Sequence, residues 1–191
     1  SRRPPSCGLG TSGYGRCMPT ARLKLHPDSR CDAVDRIEVE VTADGDRLFL
    51  RYLTRRRIAD IRLPERAAPT RADNLWQRTC FEAFARRAGE AAYWELNFSP
   101  STQWAVYAFD RYRTGMTEAD TAAPRIETRA GTHRYELRAA IELPPADWRL
   151  ALSAVIEETN GRKSWWALAH PPGKADFHHP DSFVLELAAN P

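Results

Sequence analysis

Hydrophobic and polar residues alternate along most of this chain, the period-two pattern of half-buried strands. Ile37, Val39 and Val41 alternate with Glu38 and Glu40. The stretch Ala43-Asp44-Gly45-Asp46 then supplies a tight turn, and Leu48–Leu53 reads as the partner strand. Ile58–Leu63, closed by Pro64, is predicted as a further strand, and residues 64–74 as a loop. The densest block follows, with strands predicted over Cys80–Arg86, Tyr93–Ser99 and Trp104–Asp110. Trp94, Leu96 and Phe98 share one face of the middle strand, while Tyr93, Glu95 and Asn97 share the other. The second half continues with strands over Arg125–Arg129, Tyr135–Ile141, Ala151–Glu158, Ser164–Ala169 and Ser182–Leu187. Pro145–Trp148 is the one segment that reads as a short helical turn. About ten strands with Gly and Pro turns between them predict an all-β antiparallel β-sandwich.

Composition narrows the class. A chain of 191 residues with 42% hydrophobic and 28% charged residues suits one globular domain. A net charge of +3, with Arg55-Arg56-Arg57 as the longest basic run, gives no nucleic-acid footprint. No apolar run has the length of a membrane span. Residues 1–17 are rich in Arg, Pro, Gly and Ser and are expected to be a disordered extension, with one domain over 18–191. They have no apolar signal core, so the cytoplasm is the expected location. Cys7, Cys17, Cys31 and Cys80 form no CxxC pair, and Cys80 reads as a small buried hydrophobe.

Three ordered segments carry a resemblance. Leu75-Trp76-Gln77-Arg78-Thr79-Cys80-Phe81-Glu82-Ala83-Phe84, Tyr93-Trp94-Glu95-Leu96-Asn97-Phe98-Ser99-Pro100 and Trp104-Ala105-Val106-Tyr107-Ala108-Phe109-Asp110 resemble the DOMON-like domains. These are related to the family 9 carbohydrate-binding modules. The closing Phe177-His178-His179-Pro180-Asp181-Ser182-Phe183 is similar to that family's His-x-Pro-x-x-Phe, with an offset in the histidine pair. The resemblance spans roughly residues 22–188 and implies a ligand-binding sandwich, its ligand a sugar or haem. Function as a non-catalytic module for a carbohydrate or glycan fragment is therefore expected, with a haem b electron-transfer domain as the alternative and a glycoside-processing enzyme third. No cofactor is expected under the first reading.

Candidate residues fall into three groups. Glu82, Tyr93, Glu95 and Asn97 form a polar face able to grip sugar hydroxyls. The structural alternative is that arginines such as Arg51 or Arg78 hold Glu82 and Glu95 and so fix strand register. Trp76 and either Trp165 or Trp166 are candidate platforms for a sugar ring, since adjacent residues of a strand point oppositely. The loop after the last long strand gathers His170, Lys174, Asp176, His178 and His179. Here the structural alternative is that His178 or His179 caps a strand and bonds backbone carbonyls. Met116 with His170 or His178 would supply haem ligands in the alternative reading. A chain holding only the sandwich is expected to work beside a separate enzyme or as a homodimer through exposed edge strands.

Overall fold

The computed structural model describes residues 16–17 and 20–189. Strands β1 (Arg16–Cys17), β2 (Ala21–Leu25), β3 (Val34–Asp44) and β4 (Arg47–Arg56) open the chain. Next come β5 (Cys80–Arg87), β6 (Tyr93–Phe98), β7 (Trp104–Phe109) and β8 (Thr117–Glu118). Strands β9 (Arg125–Ala130), β10 (Arg134–Glu142), β11 (Trp148–Glu157), β12 (Lys163–Ala167) and β13 (Leu185–Leu187) complete it. Residues 1–15, on which most of the expected disordered extension falls, lie outside the described residues.

The strands run in the order β8-β7-β6-β5-β11-β12-β2-β3-β4-β10-β9, and every pair is antiparallel. This path curls into two layers. β2 is the hinge between them, pairing Leu25 with Trp166 of β12 and Leu23 with Ile37 of β3. Period-two alternation explains why the layers close. Ile37, Val39 and Val41 of β3 and Leu48, Leu50 and Tyr52 of β4 are fully buried. They join one core with Phe81, Leu96, Val106 and Leu152 from the other layer. Each such side chain contributes about 1.5–3 kcal/mol through burial.

The β3–β4 hairpin matches its sequence signal. Asp44 pairs with Arg47 across Gly45-Asp46, and Gly45 takes the positive φ of 59° that the turn requires. Three local expectations are corrected. Ile58–Leu63 is not a strand; Ile58–Asp60 is a 3₁₀ turn, followed by a single bridge from Ile61 to Glu158. Both isoleucines are buried, and a spacing of three suits one 3₁₀ turn, not a pleat. Pro145–Trp148 forms a bend without helix, since Trp148 already begins β11 and its Nε1 donates to the Pro144 carbonyl at 2.9 Å. Ser182–Leu187 splits into a 3₁₀ turn, Pro180–Ser182, and the three-residue β13. Among the described residues no helix is long and apolar enough to cross a membrane.

Candidate binding cleft

Register decides which side chains share a face. Glu82 of β5 pairs with Asn97 of β6 and Ser153 of β11, and Phe84 pairs with Glu95. Glu95 in turn pairs with Tyr107 of β7, Tyr93 with Phe109, and Val155 with Trp165. Directly paired residues point to the same side. One layer therefore turns a polar and aromatic face away from the core, with Glu82 and Glu95 at diagonal positions on it.

The closing loop packs on part of this face. Phe177 and Phe183 pack with Phe84, Tyr93, Tyr107 and Phe109 into a second, smaller apolar cluster. The uncovered part is an open cleft of about 880 Å³. Glu82, Glu95 and His178 form its floor, Tyr107 and Phe109 one wall, and Trp76, Arg113, Met116 and Trp165 lie around it. Trp76 is 50% exposed on the 3₁₀ turn Leu75–Gln77, and Trp165 is 38% exposed on β12.

A chain of hydrogen bonds orders the floor. The Arg113 backbone N–H donates to the Tyr93 hydroxyl at 3.2 Å. That hydroxyl can then donate to His178 Nδ1 at 2.8 Å. This assigns the imidazole proton to Nε2, which faces Glu95 Oε2 at 3.5 Å. Asn97 Nδ2 donates to Glu95 Oε1 at 2.9 Å. Burial, together with the nearby Arg113 charge, lowers the His178 pKa to about 4, so the ring is neutral near pH 7. Burial also raises the Glu95 carboxyl, against the pull of Asn97. Glu82 is pushed well above the ordinary carboxylate range by burial and then by the charge of Glu95. Among the described residues, its carboxyl accepts one hydrogen bond, from the Ser153 hydroxyl at 3.3 Å.

The loop is pinned from outside the cleft. Asp176 accepts from the Tyr112 hydroxyl at 2.6 Å, from Arg113 Nη2 at 2.8 Å and from the His178 backbone N–H at 3.1 Å. Burial would raise its pKa, but the Tyr112 and Arg113 hydrogen bonds hold it below the ordinary value. Asp176 therefore ties the β7–β8 turn to the closing loop and sets where Arg113 and His178 stand.

The sequence-predicted residues thus separate. Trp76, Glu82, Glu95, Trp165 and His178 meet at the cleft, with Met116 on its rim; Tyr93, Asn97 and Asp176 support them from behind. Trp166 does not qualify as a platform: it is 4% exposed and packs in the core, as the alternation with Trp165 requires. His170, Lys174 and His179 do not line the cleft. His170 Nε2 bonds the Lys24 carbonyl at 2.8 Å, and its ring meets His26 edge-on at 4.9 Å. His179 Nδ1 accepts the Asp181 N–H at 3.2 Å and caps the last 3₁₀ turn. The capping and carbonyl-bonding roles therefore fall to His179 and His170, not to His178. Arg51 and Arg78 do not hold the floor carboxylates either. Arg51 pairs with Glu40 and Glu136, both at 2.9 Å, and Arg78 with Glu157 at 3.1 Å. Sequence reasoning missed Phe84, Tyr107, Phe109 and Arg113. The first three were legible as the outward set alternating with Ala83, Ala85, Val106 and Ala108, whereas Arg113 carries no local signal.

A second groove, of about 590 Å³, crosses the outer face of the other layer beside β4, β9 and β10. Its charges are largely satisfied by one another, through Arg51 with Glu40 and Glu136 and Arg138 with Glu136 at 2.6 Å. Arg51 Nε is left without a hydrogen-bond partner there, but among the described residues no buried carboxyl of this groove lacks an arginine as Glu82 does in the cleft.

No protein-family model matches the chain, and no curated protein matches it. A solved structure of similar fold is that of a provisionally assigned carbohydrate-binding protein from Bacteroides uniformis. It shares 13% identity, with 86% of this chain and 83% of that chain covered and a TM-score of 0.63. The likeness supports the all-β sandwich described above.

Proposed function

We propose that this chain binds a saccharide in the cleft and does not transform it. The observation that carries this reading is that two exposed indoles, Trp76 and Trp165, line one cleft with Glu95, His178 and Glu82. Indole faces cover the apolar faces of a sugar ring, and carboxyl and imidazole groups exchange hydrogen bonds with its hydroxyls. The fold likeness to a carbohydrate-binding assignment supports it further.

The two carboxyls lie diagonally on one floor, on neighbouring strands. Glycoside cleavage needs carboxyls on either side of the scissile bond. That placement favours binding over hydrolysis. The haem alternative would draw on Met116 and His178, which both border the cleft. His178 would have to release Tyr93 or Glu95 to free a ring nitrogen, and Met116 is 60% exposed on the rim. These costs weigh against haem, and absorbance titration with haem tests it directly.

Isothermal titration against a panel of mono- and oligosaccharides tests the main reading. At least one saccharide should bind, and Trp76→Ala or Trp165→Ala should weaken it about tenfold, the equivalent of ~1.4 kcal/mol. Failure of every saccharide to bind or to raise the melting temperature would sink it.

A further inference from the structure

The cleft floor holds more acid than its own partners neutralise. Glu82 is 2% exposed and borders the cleft, yet its Oε1 meets no hydrogen-bond partner. Among the described residues, neither Glu82 nor Glu95 pairs with a lysine or arginine. Arg113 is committed to Asp176 at 2.8 Å, and Arg71 to Glu118 at 3.3 Å. His178, which touches Glu95, is neutral near pH 7, and the Arg113 charge reaches Glu95 only at a distance. Two buried carboxyls side by side raise each other's cost of ionisation, and such groups ordinarily sit with a counter-charge. Among the described residues no three or more His, Cys, Asp or Glu side chains gather as a metal site would need.

We propose that the ligand supplies that charge: the cleft takes an amino sugar whose ammonium group seats between Glu82 and Glu95 while its ring lies against Trp76 and Trp165. A neutral hydroxyl can give one hydrogen bond to the free Glu82 oxygen. An ammonium gives up to three and also offsets the charge of the neighbouring carboxylate. Aromatic faces around the floor, Phe84 and Phe109 among them, favour a cation over a neutral group. This inference rests on the carbohydrate reading of the same cleft.

The test is calorimetric titration of the full chain with glucosamine, glucose and N-acetylglucosamine. Near neutral pH glucosamine should bind about tenfold more tightly than either uncharged sugar, the scale of one added charge-assisted contact. The advantage should shrink as the pH is lowered, because burial raises both floor carboxyls and acid neutralises them before ordinary carboxylates. Glu82→Gln, checked for folding by circular dichroism, should bring the glucosamine-to-glucose affinity ratio towards one. Equal affinity for glucosamine and glucose in the wild-type chain overturns the amino-sugar inference and leaves saccharide binding standing. A ratio unchanged in both Glu82→Gln and Glu95→Gln also overturns it. Silence towards all three sugars and the wider saccharide panel removes the carbohydrate reading itself, and this inference with it.

Discussion

His178 shows how one side chain takes its character from neighbours far away in sequence. Tyr93, Glu95 and Arg113 surround it, and burial, then the Arg113 charge, keep its ring neutral against the opposing pull of Asp176. Its pKa falls from 6.5 in the free state to about 4 in the fold, so the unfolded chain binds the proton more readily. Stability from this group is complete above pH 6.5 and is lost as pH falls from there through about 4. The loss amounts to about 3 kcal/mol at most. Glu82 and Glu95 act with opposite sign, since raised carboxyl pKa values make the folded state the better proton acceptor as pH falls. His178→Asn cannot take up that proton, so urea melts from pH 7 to pH 4 should show less acid-side loss than the wild type. Parallel pH curves for the two proteins would contradict this. The sequence set His178 and His179 side by side in one loop. It could not show which one enters the cleft, because that depends on packing against β5, β6 and β7.

At the scale of single elements, β12 puts the same point in measurable form. Trp165 and Trp166 are neighbours in one strand, and pleating sends one outward and one inward. Trp166→Ala should cost about 3–5 kcal/mol, as large-to-small changes in a packed core do. Trp165→Ala should change stability by less than about 0.5 kcal/mol and register only in ligand binding. Denaturant midpoints of the two variants check this, and comparable losses of stability would refute it. Long alternating elements such as β3, β4 and β10 were readable because each repeats its signal over many residues. Short ones were not. In residues 58–61 two buried isoleucines three apart look the same in sequence as a brief strand, and only the backbone bonds from Asp60 to Arg57 and from Ile61 to Ile58 decide the turn.

Across the whole molecule, the floor of the cleft is tied to the opposite layer. Tyr52 of β4 donates its hydroxyl to the Glu82 carbonyl at 2.7 Å, and its ring meets Phe81 at 5.1 Å. Phe81 also stacks near Tyr135 of β10 at 6.0 Å. The core therefore holds the backbone of the strand that presents Glu82 on its far face. Tyr52→Phe keeps the packing and removes the hydroxyl, leaving a buried carbonyl without this donor. It should lower stability by about 1–2 kcal/mol with an unchanged denaturant slope. An unaltered midpoint would show that the bond contributes nothing net. Ion pairs at this scale were the least legible part of the chain. Arginines abound in the sequence, and Arg51 was free on paper to serve Glu82 or Glu95. In the fold it stands on the outer face of the other layer, between Glu40 and Glu136.

By itself the sequence determined the fold class, most strand positions and the division of each long strand into two faces. Those properties are local, for a period of two is written in adjacent residues and needs no partner. It also brought Glu95 and Asn97 together, since they stand two apart on one strand. Tertiary structure alone decided which face is core, which tryptophan is platform and which histidine joins the floor. It alone set Glu82 diagonal to Glu95, left one Glu82 oxygen unpartnered and turned the nearby arginines to other acids. Those outcomes depend on register and layer packing between segments far apart in the chain, and a register shift of one residue would have sent every one of these side chains to the opposite face.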